Sequence, residues 1–201
     1  MKYVKMLGLA VGAAAAFMAF VGAGSASATV LCNTNSTPCA SKIGAGTEIK
    51  SQLAAGTVAN LHAGFAEIKC EESNVTGKVE KAGSATESVK GPISLLTFGK
   101  CTGRVNVKKA GTLEINWISG TMNGTLTSEG AEVEVEQAGV TCTYGTPTPK
   151  TIGPVAGGSP ATLTASAELT KISGGFLCAN PAHWEAKYIV TSPNPLFVAE
   201  S

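Results

Sequence analysis

In an extended backbone, Leu113-Glu114-Ile115-Asn116-Trp117 sends Leu113, Ile115 and Trp117 to one side and Glu114 and Asn116 to the other. A period of two is the signature of a strand with one face on a core and one toward water. Trp184, Ala186, Tyr188 and Val190 repeat it near the end of the chain. Working outward, Thr, Val and Ile recur from Thr47 onward, with Gly as punctuation. The expected strands are 48–53, 58–62, 66–70, 74–80, 93–98, 104–108, 112–119, 125–128, 131–137, 140–144, 162–167, 168–172 and 184–190. Gly64, Gly83, Gly91, Gly111, Gly120, Gly130 and Gly139 fall between them at intervals suited to hairpins. No stretch after residue 28 carries a sustained helical apolar stripe. Short strands without a βαβ rhythm predict an all-β fold, an antiparallel β-sandwich, with a β-barrel as the alternative.

The first 28 residues read differently. Lys2 and Lys5 precede an apolar run from Met6 to about Val21, and small residues follow up to Ala26-Ser27-Ala28. That is the pattern of a secretory signal peptide, helical in its apolar part, with cleavage after Ala28. The run is short of the about 20 apolar residues a spanning helix needs. Residues 1–28 are therefore assigned to the signal peptide and 29–201 to one disulfide-braced β domain, secreted and without a stable membrane anchor after cleavage. Leu31 stands where a lipid-modified Cys32 would want a small residue.

Removing Lys2 and Lys5 leaves 13 basic against 14 acidic residues, a net charge of −1, with Arg104 the one arginine. No basic patch of the kind that neutralises phosphates is present, which argues against nucleic acid. The chain has no Asp, so Asp-based calcium loops and aspartate catalysis are excluded and only Glu can supply a carboxylic acid.

Cys32, Cys39, Cys70, Cys101, Cys142 and Cys178 form an even set in an exported chain, which reads as three disulfides. Metal binding is disfavoured because no Cys-x-x-Cys occurs and His62 and His183 are remote from such a pair. Six cysteines permit 15 connectivities. Sequential pairing, Cys32–Cys39, Cys70–Cys101 and Cys142–Cys178, is the economical choice. Each longer link would contribute about 3–4 kcal/mol by restricting the unfolded chain.

Few residues suggest chemistry. Glu132, Glu134 and Glu136 alternate with Val133 and Val135, which puts three carboxylates on one strand face about 6.8 Å apart. They could gather a cation or act as acid and base toward a sugar. The simpler reading is a solvated face paired across strands with Lys108 or Lys78. Gly157-Gly158-Ser159-Pro160-Ala161 comes nearest to a Gly-x-Ser-x-Gly nucleophile elbow, but it ends in Ala161 and sits in a proline-rich loop with no helix behind it. His62 and His183 read as polar residues at strand ends, and Trp117 and Trp184 as core. Gly145–Pro160, with four prolines, is expected to be the longest loop, an irregular crossover.

Leu31-Cys32 … Pro38-Cys39, Ile68-Lys69-Cys70, Gly99-Lys100-Cys101, Val140-Thr141-Cys142-Thr143-Tyr144-Gly145, Leu177-Cys178 and His183-Trp184-Glu185-Ala186-Lys187-Tyr188 together resemble uncharacterised secreted, cysteine-containing all-β proteins of high-GC Gram-positive bacteria. The resemblance implies export and compactness and carries no activity. The expectation is a non-enzymatic binding or structural module, secreted or at the cell envelope, with no cofactor and a cell-wall or other extracellular partner. The alternatives are a Glu-dependent polysaccharide hydrolase and a secreted inhibitor or toxin-like ligand presenting Gly145–Pro160.

Overall fold

The computed structural model describes residues 28–64 and 66–201; the expected signal helix lies outside them, with Ala28 at their edge. Fifteen strands follow in order: β1 (Val30–Cys32), β2 (Glu48–Leu53), β3 (Ala59–Gly64), β4 (Ala66–Lys78), β5 (Lys81–Ser84), β6 (Glu87–Cys101), β7 (Arg104–Lys109), β8 (Thr112–Trp117), β9 (Gly124–Glu129), β10 (Glu132–Gln137), β11 (Val140–Gly145), β12 (Lys150–Ala156), β13 (Thr162–Gly174), β14 (Cys178–Ser192) and β15 (Phe197–Ala199). The fold is all-β and every pairing is antiparallel, a large sheet packed with the small β1–β15 pair in the manner of a sandwich.

The large sheet also closes on itself. The order β14-β3-β4-β6-β8-β9-β12-β13 returns to β14 through an eight-residue ladder between β13 and β14, from Thr162↔Ile189 to Leu169↔Ala182. β2 and β3 follow one another in the same lane between β14 and β4. The far half of β13 carries a second flap, β11-β10-β7, which folds over the closed part.

Alternation puts the core inside. In β9, Gly124, Leu126 and Ser128 are buried while Thr125, Thr127 and Glu129 are half-exposed. Leu113, Ile115 and Trp117 of β8 share a face on one apolar cluster, with Leu31, Leu126, Val155, Leu196 and Val198. A second cluster joins Leu61, Ile68, Val135, Tyr144 and Tyr188, packed by Phe98 and Trp184. Thr29 is fully buried. Its amide donates to Ser84 O (3.1 Å) and its hydroxyl accepts from the Trp117 amide (2.9 Å).

The three disulfides follow the sequential pairing, Cys32–Cys39, Cys70–Cys101 and Cys142–Cys178. Cys70 and Cys101 face each other directly across β4 and β6.

Several strands run longer than the alternation alone suggests. The expected pairs 66–70/74–80 and 162–167/168–172 fuse into β4 and β13. Gly91, expected between strands, lies inside β6, where a Cβ would sit 1.9 Å from Lys78 O. Gly145–Pro160 is not one loop, because β12 runs through it and pairs with β9 and β13. Pro154, which has no amide to donate, is tolerated beside a register shift between Thr151 and Gly153. Gly153 (φ +151) lets that shift form, since a Cβ would meet Thr164 O at 1.8 Å.

Candidate functional site

The sites suggested by the sequence resolve into surface pairs. Glu132, Glu134 and Glu136 lie opposite Lys109, Asn106 and Arg104 on β7. Glu132 bonds Lys109, Glu134 lies 3.1 Å from Lys108 and Glu136 lies 3.6 Å from Arg104. Lys108 was an anticipated partner; Lys109 and Arg104 were not.

His62 and His183, 121 positions apart by their numbers, are cross-strand neighbours on β3 and β14. They sit in a row with Glu67 of β4 and Glu168 of β13. Asn60 Nδ2 is 2.7 Å from His62 Nε2 and donates to Glu67 at 3.2 Å, and His183 Nε2 is 3.0 Å from Glu185. Hydrogen bonds from Lys69 and then Asn60 hold the Glu67 carboxyl below its usual range. Among the described residues no three His, Cys or Glu side chains are placed to hold a metal ion.

The feature that stands out lies within. A cavity of about 120 Å³ runs between the closed sheet and the β7–β10–β11 flap. Its wall is aliphatic and aromatic: Leu61, Ile68, Phe98, Val135, Trp184 and Tyr188 are typical. Phe98 and Tyr188 each present an edge to Trp184, with ring centroids 6.4 and 6.5 Å away. Two polar contacts involve wall residues. Ser128 Oγ is 3.1 Å from Thr146 Oγ1, and the Tyr188 hydroxyl is 2.9 Å from Ser73 Oγ. Burial pushes the Tyr188 phenol up to about 12, against the opposing bond from Ser73, and also raises Tyr144.

A β-bulge creates one side of this wall. Thr76 pairs with Leu95 and Gly77 with Ile93, so Ser94 is the extra residue on β6. The inward side therefore passes from Ile93 to Leu96 and Phe98, and Leu95 turns outward at 47% exposure. Beyond the bulge this half of β6 pairs with β4 alone, and β7 pairs only with β10. The two edges thus face each other across a slit. One end is closed by the chain turn at 102–103 and the other by the bond from Ile93 N to Gly111 O (3.0 Å). Ile93, Leu96, Phe98 and Val105 at the slit are half-exposed, whereas Leu61, Ile68 and Ala165 across the cavity are buried.

The alternation identified most inward residues but not the space between them. Nothing in the pattern along β6 and β7 marked the opening, because it depends on which strands pair. The chain matches no protein-family model, no curated protein and no solved structure.

Proposed function

We propose that this is an exported, non-enzymatic binding module, working outside the cytoplasm or at the cell envelope, that takes up an apolar molecule in the cavity behind the β6–β7 slit. The supporting observation is the cavity itself. A ready-formed apolar space with a lateral opening is where a ligand gains most from leaving water. An engineered apolar cavity of about 150 Å³ stays dry and accepts benzene, so a space of similar size suits a small hydrocarbon group. The carboxylates of Glu132, Glu134 and Glu136 bond cations on the outer surface, away from that wall. Three disulfides suit an oxidising compartment, and the pattern of residues 1–28 supplies the export route.

Trp184 makes the reading testable. In a Trp117→Phe variant it is the remaining tryptophan and stands in the cavity wall. Titration with benzene and naphthalene should shift its emission and raise the melting temperature together. Flat emission and an unmoved melting temperature up to the solubility limit would retire the proposal.

A further inference from the structure

Resting on that reading of the cavity, we infer that the ligand is a single unbranched alkyl chain lying along the strands. A second cavity, of about 80 Å³, adjoins the first. Four side chains, Val75, Leu113, Leu126 and Leu163, line both and form the waist between them. The order of wall residues shows that the two are stacked end to end. On β4 the wall passes from Ile68 through Val75 to Val79, just past the strand's end, on β6 from Phe98 to Val89, and on β14 from Trp184 to Val190. Nine positions on β6 correspond to about 30 Å of extended backbone. The space is long and narrow.

Shape and polarity then select the ligand. Two small chambers joined at a waist of branched side chains fit a slender chain better than a fused ring system. The buried Tyr144 hydroxyl lacks a side-chain partner, while the other wall hydroxyls are engaged: Ser128 with Thr146, Tyr188 with Ser73, and Ser51 of the second chamber with Val75 O at 3.5 Å. An alkyl chain asks nothing of them, whereas a polar ligand would have to break those bonds. At the slit, Lys108, Lys109 and Arg104 are already matched by Glu134, Glu132 and Glu136. The chain itself, not a charged head, supplies the recognition.

The test uses the complete, oxidised mature protein. Straight-chain alcohols from hexanol to hexadecanol are titrated beside naphthalene, with calorimetry and, in the Trp117→Phe background, Trp184 emission as readouts. Affinity should rise about fourfold per methylene, then level off once both chambers are filled. Leu163→Phe, which narrows the waist, should bring the levelling to shorter chains and weaken hexadecanol binding far more than hexanol binding. Should that variant lose its native circular dichroism, Val75→Phe narrows the same waist, and the levelling in the unaltered protein is decisive by itself. Naphthalene binding with no dependence on chain length would overturn the inference and leave the apolar cavity reading intact. If neither class binds, both fall.

Discussion

Ser73 and Tyr188 are 115 positions apart in the chain, yet their hydroxyls meet at 2.9 Å in the interior. Both residues are buried, and the bond ties β4 to β14 beneath the β2–β3 lane. Tyr188→Phe removes one partner and leaves the other shut away from water. The expected loss of stability is about 1–3 kcal/mol by chemical denaturation, and adding Ser73→Ala should recover part of it. A single variant as stable as the parent would show that the bond contributes nothing.

The same residue sets an alkaline limit. Its phenol ionises near 10 when unfolded and near about 12 in the folded protein, because burial disfavours the charged form. The stability linked to it is complete below pH 10 and is lost as pH rises through about 12. The described residues include two tyrosines, Tyr144 and Tyr188, and burial raises both. Native protein at pH 10 should therefore show much less phenolate absorbance than the urea-unfolded chain. Equal absorbance would contradict the packing around both rings.

Gly91→Ala should be costly for a reason unrelated to turns. An added methyl would collide with the backbone oxygen of Lys78 where β6 runs past the end of β4. Overpacking of this kind costs about 1–3 kcal/mol. A thermal melt of the variant within error of the parent would refute the close approach.

Glu134→Gln tests the acidic row. Its partner Lys108 is 3.1 Å away and 44% exposed, so the pair is screened by water. The expected change is less than about 1 kcal/mol, with no response of the melting temperature to calcium in parent or variant. Calcium stabilisation of the parent that vanishes in the variant would restore the cation-site reading.

The sequence carried the elements better than their arrangement. Leu113, Ile115 and Trp117 declared their shared face because period two is a local property, and the disulfide pairing followed chain order. Gly145–Pro160 misled because prolines speak against a strand locally, while β9 and β13 hold β12 in place from both sides. The His62–His183 pairing was invisible for a related reason. Register between β3 and β14 is set by ladders closed far away in the chain, not by anything within five residues of either histidine. The cavity was hardest to foresee. Periodicity says which way a side chain points, but not whether the opposite wall reaches it.

One consequence follows from β6 and β7 sharing no ladder beyond the bulge. Parting two strands ordinarily means tearing backbone bonds one by one, but here there are none to tear between them. The pair can spread like the covers of a book whose spine is the bend after Cys101, and the bridge to Cys70 rivets that spine to β4. On the proposed binding role, a guest would enter and leave as these two edges part, with no ladder between them to break.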